Sequence, residues 1–336
     1  GGAGFLGSHI VPALLEEGRA VRVLARSPER VPPALEPLGW TTNDVEVVQG
    51  DVLDGAEVLA SSMDGVDALL HAANVYSLNQ VDAARMREVN VEGTREVLQK
   101  AVERGLSPIV HVSSYVALLP CEAAMTSATS TGDPQGPYLA SKAEAERLAL
   151  AFADEGADIV VTNPGMILGP HDPHLGDSAE ILRSVLSGPV SVHAAGIFPV
   201  VDVRDLGVAH ARILAVDRPD RRYLLAGRTL TLAAFLDMAR EITGRRLPAV
   251  RAPEPLLRVA GRLADAAQRR GMDPGFSSMN LYVVKHAVPV DGHPEQAALV
   301  VRWRPVEETL EDTIAWLYEA GHLSERHAGR VARDRP

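Results

Sequence analysis

Apolar residues fall into two alternating rhythms along the first half of this chain. From Gly1 to about Gly169, short runs rich in β-branched residues alternate with segments whose apolar positions recur every three or four residues. The first pattern suits strands covered on both faces, and the second suits helices packed along one side. Ile10, Val11, Leu14 and Leu15 predict a helix over residues 8–17, with Gly18 as its stop. Residues 21–24, 45–48, 68–71, 109–112 and 159–162 read as strands, and residues 81–104 and 138–153 as long helices. Such alternation builds βαβ units on a parallel sheet.

Beyond Gly169 the rhythm breaks at Gly169-Pro170, Pro173, Gly188-Pro189 and Gly196. Residues 200–203 read as a strand returning to the main sheet, and residues 230–243, 253–270 and 305–318 as amphipathic helices. The expected fold is α/β: residues 1–169 form a doubly wound parallel sheet and residues 199–226 return to it. Residues 170–198 and 227–322 form a smaller, mostly helical lobe, and residues 323–336 a tail. A lobe so placed roofs the crevice at the carboxyl ends of the strands, where open α/β folds bind ligands. One feature is out of order. A glycine-rich turn normally follows a buried strand, yet Gly1-Gly2-Ala3-Gly4 opens the chain. The first strand of the sheet is therefore expected to be missing from the sequence.

Composition narrows the classes. With 336 residues, 46% of them hydrophobic and 23% charged, the chain can bury a sizeable core. A net charge of -11 makes nucleic acid a poor partner. The lone Cys121 excludes an internal disulfide framework and a cysteine-rich zinc site, and fits a reducing cytoplasm. No run approaches the roughly 20 apolar residues of a membrane span.

Three groups of residues suggest chemistry. Gly1-x-x-Gly4-x-x-Gly7 runs into a helix, so backbone N–H groups can approach a pyrophosphate at the positive helix end. A plain loop-to-helix junction would show the same glycines. After the strand over residues 21–24 stands Arg26, with no carboxylate beside it. An acid there would hold a ribose 2′-hydroxyl, whereas arginine suits a 2′-phosphate, so NADP(H) is favoured over NAD(H). Asp51 and Val52, ending the next strand, are placed to meet an adenine ring, and Asp51 equally fits an ordinary turn acid. Tyr138 and Lys142 share one helix face at i, i+4 spacing, where the ammonium can stabilise a phenolate. Ser114 ends the strand over residues 109–112, where its hydroxyl can steady a developing alkoxide.

In combination these residues resemble the extended short-chain dehydrogenase/reductase family. The match takes in Gly1-Gly2-Ala3-Gly4-Phe5-Leu6-Gly7, Asp51-Val52, His71-Ala72-Ala73 and Asn90-Val91-Glu92-Gly93-Thr94. It continues through Val112-Ser113-Ser114, Tyr138-x-x-x-Lys142, Asn163-Pro164-Gly165 and Val201-Asp202-Val203-Arg204-Asp205. The resemblance implies a Rossmann domain binding NAD(P), with Ser114, Tyr138 and Lys142 as catalytic residues. It implies that Gly1, Gly4, Phe5, Leu6 and Gly7 hold the pyrophosphate. His71, Ala72 and Ala73 would line the nicotinamide ribose, and Pro164, Gly165 and Met166 the nicotinamide. It also implies a homodimer paired through residues 81–104 and 138–153.

Ser114 is followed by Tyr115-Val116-Ala117 and not by the Asp-Glu pair of sugar-nucleotide dehydratases. The sequence looks most like the dihydroflavonol-reductase-like and 3β-hydroxysteroid-dehydrogenase-like branch. The expected activity is reduction of a ketone or aldehyde on a small apolar to moderately polar metabolite. A nucleotide-sugar epimerase with bound NAD is the runner-up, and a cofactor-sensing protein without turnover the third reading. The substrate pocket is expected from residues 118–137, 166–174 and 190–198. For His171-Asp172-Pro173-His174 a loop or pocket role is favoured over a metal, because no third strong ligand stands nearby. Asp202, Arg204 and Asp205 read as an ion-paired junction between the lobes. Leu256, Leu257, Val259, Ala260 and Leu263 read as a lid helix packed over the pocket rather than a membrane-facing stripe.

Overall fold

A computed structural model describes residues 1–77, 79–217, 219–272 and 276–333. Helix α1 (Phe5–Glu16) opens the chain, followed by β1 (Arg22–Ala25), a short α2 (Val31–Leu35), β2 (Glu46–Gln49), α3 (Ala56–Ser62) and β3 (Leu69–His71). Next come α4 (Ala83–Arg87), a π-helical stretch over Glu88–Gly93, α5 (Thr94–Glu103), β4 (Ile109–Val112), α6 (Pro137–Asp154) and β5 (Ile159–Thr162). The chain continues with β6 (Met166–Leu168), α7 (Asp177–Ser187), β7 (Ser191–His193), β8 (Ile197–Asp202), α8 (Val203–Ile213), β9 (Arg222–Tyr223) and β10 (Arg228–Thr231). It ends in α9 (Leu232–Thr243), β11 (Ala249–Arg251), α10 (Glu254–Gln268), α11 (Ser278–His286), α12 (His293–Leu299), α13 (Val306–Glu319) and two one-turn helices.

The main sheet is parallel throughout and stands in two parts. Strand β1 pairs with β2, and β3, β4, β5 and β9 pair in that order. A Cβ on Gly1 would lie 2.4 Å from the Ala72 carbonyl carbon, and one on Gly2 2.8 Å from Val23. The glycine turn thus sits between the ends of β1 and β3.

Side-chain alternation explains why β4 and β5 are mostly apolar on both faces. Ile109 and Ile159 join Leu59, Leu98 and Ala149 in a core beneath α3, α5 and α6. Val110 and Val160 join Leu206, Ile213 and Leu225 in the opposite core, beneath α8. Helices on both faces leave these strands no solvent side. On that second face α8 crosses α1 closely, because a Cβ on Gly207 would lie 2.5 Å from the His9 carbonyl oxygen. Glycine alone allows the crossing.

A separate core holds the helical part together. Phe235, Leu310, Ile314, Leu182 and Leu186 pack there with Leu168 of β6 and Val200 of β8. This corrects the expectation for residues 200–203, which do not return to the main sheet. Strand β8 lies instead between β6 (parallel) and β10 (antiparallel) in a three-stranded sheet. The chain rejoins the main sheet at β9, a two-residue pairing with β5. Apolar side chains on both faces show that a strand is covered, and do not show which layers cover it.

Asp202 and Arg204 behave as the charge pattern suggests. Arg204 bonds Asp202 at 2.7 Å and Asp312 at 2.8 Å, while Asp202 also accepts from Thr309 at 2.9 Å. These bonds and the Asp205–Arg304 pair tie α8 to α13 and the turn before it. The expected lid packing fails for most of its residues. Helix α10 buries Leu257, Gly261 and Ala264, whereas Leu256, Val259 and Leu263 are 64%, 55% and 66% exposed.

Phe235 is fully buried in the helical core. Phe235→Ala is expected to destabilise the protein by about 3–5 kcal/mol through the cavity it leaves. Urea unfolding checks this: the midpoint should fall with the slope unchanged.

Candidate active site

Helix α6 carries the central side chains. Pro137 supplies its first turn, where a missing N–H costs nothing. Tyr138, Lys142 and Glu146 follow at four-residue intervals on one buried face, 8%, 5% and 0% exposed. Tyr138 packs its ring 4.4 Å from that of Tyr76, centroid to centroid, and its hydroxyl bonds the Asn74 side chain. Burial pushes the Tyr138 phenol above its usual range, Tyr115 adding to the push and the Asn74 bond opposing it.

Lys142 donates to the Val112 carbonyl at 2.9 Å, at the end of β4. Burial lowers its pKa to about 8, and the Glu146 carboxylate opposes the fall. Ser114 stands two residues beyond that strand end. Its side chain receives the Val116 amide at 3.4 Å, and its carbonyl accepts from Asn163 at 3.0 Å. The structure thus gathers Ser114 and Lys142 about the end of β4, with Tyr138 one turn before Lys142.

Glu146 is the hub beneath them. It accepts from Ser113 at 2.5 Å, Asn163 at 2.6 Å and Thr131 at 2.8 Å, and pairs with Arg222 of β9. Sequence reasoning missed this cluster. The available signal was a third polar residue continuing the Tyr138–Lys142 spacing onto an otherwise apolar helix face. Asn90, quoted only as part of a motif, also has a task. Its amide exchanges bonds with the Val75 backbone at 2.7 and 2.9 Å and donates to Ser141 at 3.0 Å. It thereby pins the loop bearing Asn74 and Tyr76 against α6.

The other expected residues divide between two places. Gly1, Gly4, Gly7, Arg26, Asp51, Val52, His71, Ala72 and Ala73 all border one cleft about the glycine turn. Gly4 caps α1, and a Cβ there would meet only the Gly1 carbonyl oxygen, at 3.3 Å. The first-turn amides thus remain approachable, as a phosphate requires. Phe5 and Leu6 lie in the first turn of α1 and do not border the cleft. Arg26, 59% exposed, stands 3.7 Å from Asp51. His71 is buried, stacked on His111 and bonded to Thr94 at 3.0 Å. Desolvation lowers its pKa to about 3, so the ring is neutral. Pro164 accepts the Tyr115 amide at 2.9 Å, Gly165 is wedged against the Ala226 carbonyl oxygen, and Met166 begins β6.

A smaller cavity of about 270 Å³ opens beside the start of α6, lined by Ser77, Met86, Gln135, Pro137, Met279 and Tyr282. Residues 135–137 belong to the expected pocket. The Ser77 loop and α11 were not foreseen. The Asp172 carboxylate accepts the His174 and Gly176 amides at 3.1 and 2.7 Å, which shapes the turn into α7.

The model of the NAD dependent epimerase/dehydratase family matches residues 1–226. The chain belongs to this family. Within the family it is an NAD(P)-dependent oxidoreductase of the extended short-chain dehydrogenase/reductase type, which sets aside the reading without turnover. It is 29% identical to sterol demethylase protein B of Methylococcus capsulatus, over 96% of this chain and 98% of that protein. It is 30% identical to a putative dihydroflavonol 4-reductase of Synechocystis, over 96% and 94% respectively. Its fold is similar to the crystal structure of gox2253, with a TM-score of 0.78, 25% identity, and coverage of 96% and 97%. No described helix of this family member is long and apolar enough to cross a membrane.

Any step that uses the Lys142 ammonium should fade as pH rises through about 8, where the group loses its proton. Glu146→Gln removes the charge that holds this value up. The variant's alkaline limb should therefore move to lower pH by on the order of one unit. Turnover profiles of both proteins on one carbonyl substrate check this, and an unmoved limb contradicts it.

Proposed function

We propose that the enzyme reduces a ketone or aldehyde on a small, apolar to moderately polar metabolite, taking NADPH in preference to NADH. The observation that carries the reading is the joint placement of Tyr138 and Lys142 on one buried face and Ser114 at the adjoining strand end. NADPH, when bound, would supply the hydride. Tyr138 gives its proton to the carbonyl oxygen as charge builds there, and burial keeps that proton in place beforehand. Ser114 holds the same oxygen. Lys142, one helical turn on, favours the phenolate left behind and has donors for the nicotinamide ribose.

Substrate character follows from the cavity beside α6. Met86, Met279 and Tyr282 give it an apolar wall, and Ser77 and Gln135 supply hydrogen bonds. Reduction also accords with the name of the Synechocystis relative. Arg26 carries the cofactor preference, since it stands exposed at the adenosine end of the larger cleft. A cytoplasmic setting accords with the single free Cys121. Our proposal retains a homodimer, paired through the helices of residues 81–104 and 138–153. The exposed residues of that region include Arg87, which pairs with Glu92 and Glu144, so polar contacts would contribute to such an interface.

Screening aryl and alkyl ketones and aldehydes with NADPH, and nucleotide sugars with NAD, tests the reaction class. With the fastest carbonyl substrate, Tyr138→Phe should lower turnover by ~10²–10⁴-fold and leave NADPH affinity nearly unchanged. Lys142→Met should impair both, because one cation serves both tasks. A Tyr138→Phe protein with near-normal turnover would remove the tyrosine from its role.

Arg26→Asp should reverse the cofactor order, weakening NADPH by roughly 10-fold or more through loss of charge-assisted bonds to the 2′-phosphate. Fluorescence titration of both cofactors reads the result. Equal or tighter binding of NADH by the wild type would overturn the preference.

A further inference from the structure

Helix α10 turns an apolar stripe away from the protein. Leu256, Val259 and Leu263 recur at helical spacing and are 64%, 55% and 66% exposed. Met272, just beyond the helix, is 55% exposed, and Val81, in the turn that α10 packs against, is 61% exposed. The opposite face is fully employed. Gly261 allows close contact with Ser278 of α11, and Asp265 accepts the Ser278 amide and hydroxyl at 3.0 and 2.5 Å. The stripe therefore has no partner within the described residues. Scattered exposed leucines need no explanation, but a continuous helical stripe does.

The charge beside this stripe identifies what fits it. At 100° per residue, Arg258 and Arg262 fall along one flank of the stripe, and Arg269 and Arg270 follow in the turn that ends the helix. All four are exposed. The helix itself carries two acids. Asp265 is buried in the α11 contact, and Glu254 lies within 2.6 Å of Arg258 and 3.6 Å of Lys285. Within a chain of net charge -11, this is a local reversal of sign. An apolar face flanked by arginines is the pattern of a helix lying in the headgroup boundary of a bilayer. Arginine stems reach along apolar surface while their heads meet lipid phosphates.

We propose that the outward face of α10, with Val81 beside it, docks the enzyme on the surface of an anionic lipid bilayer. The apolar side chains enter the acyl boundary and the arginines engage phosphate headgroups. No segment crosses the membrane. Because α11 both supports α10 and lines the cavity beside α6, docking brings that cavity close to the lipid surface.

Flotation of the full chain with vesicles tests this without turnover, so its outcome is separate from that of the catalytic reading. Vesicles of phosphatidylglycerol and phosphatidylcholine should carry the protein, and pure phosphatidylcholine should not. Raising salt should weaken the association. The double variant Leu256→Glu, Leu263→Glu should bind at least ~10-fold less while keeping the wild-type melting temperature. Arg262→Gln with Arg269→Gln should also bind roughly 10-fold less, and it provides an independent arm should the glutamates disturb α10. Absence of flotation with anionic vesicles would overturn the proposal, as would flotation of both double variants at the wild-type level. So would light scattering that gives a dimer for the wild type and a monomer for the leucine variant, since a second copy would then cover the stripe.

Discussion

A carboxylate wholly removed from water organises the reactive end of this enzyme. Glu146 lies one turn beyond Lys142 on α6 and takes bonds from Ser113, Thr131, Asn163 and Arg222. Those partners come from the end of β4, the loop before α6, the end of β5 and the short β9. A buried charge is tolerated only when it is paired and its lone pairs are filled, and removing one partner from such a pair typically costs roughly 3–5 kcal/mol. The four attachments therefore behave as one unit. Asn163 links Glu146 directly to the Ser114 carbonyl, so the carboxylate helps place the serine as well as the helix. The two-residue β9 also makes sense in this light. It is too short to stabilise a sheet edge greatly, but it delivers Arg222 to the carboxylate.

The parts legible in the sequence are those set by local pattern. Strands β4 and β5 occupy the residues expected of them, because both of their faces are buried and every position is apolar or nearly so. The spacing of Tyr138 and Lys142 was legible because helix periodicity alone puts them on one face. The family match over residues 1–226 spans the stretch in which the ordered motifs stand. Other features depended on which layer a segment meets, and no local pattern encodes that. Strand β8 is apolar in a way that fits either sheet, and only its packing against Phe235 and Leu310 assigns it. Asn74 and Tyr76 follow β3 in an irregular loop, where periodicity says nothing. Their position depends on Asn90, which is distant in sequence and lies in a π-helical stretch.

Helix α10 shows the same limit from the other side. Its sequence period correctly announces an amphipathic helix, but two apolar stripes can be drawn on it. One holds Leu257 and Ala264 together with Gly261, and the other holds Leu256, Val259 and Leu263. Leucines outweigh glycine and alanine in any hydrophobic reading, so the larger stripe looks like the core face. Close packing chose the smaller one. Gly261 and Ala264 let the helix approach α11, and Asp265 is buried there because it caps that neighbour's first turn. Small residues gained contact distance where large ones would have held the helices apart.

Electrostatics about α6 set the resting protonation of the two groups that the proposed reaction uses. Burial favours the neutral form of both Tyr138 and Lys142, so the phenol keeps its proton and the amine is the group nearer to losing one. The protonated phenol is the form that donates in the proposed reduction, and the same pair of groups would serve the reverse reaction. Glu146 then matters through its sign. By opposing the fall of the Lys142 pKa, it preserves a cation one turn from the phenol, where the phenolate produced by proton transfer needs a counter-charge. In the proposed mechanism Tyr138 is thus held protonated before transfer by desolvation, and supported afterwards by a lysine whose own charge depends on a carboxylate one turn further on. In the proposed reaction these opposing influences act at successive stages, and the buried acid that anchors the helix is also the one that keeps its lysine charged.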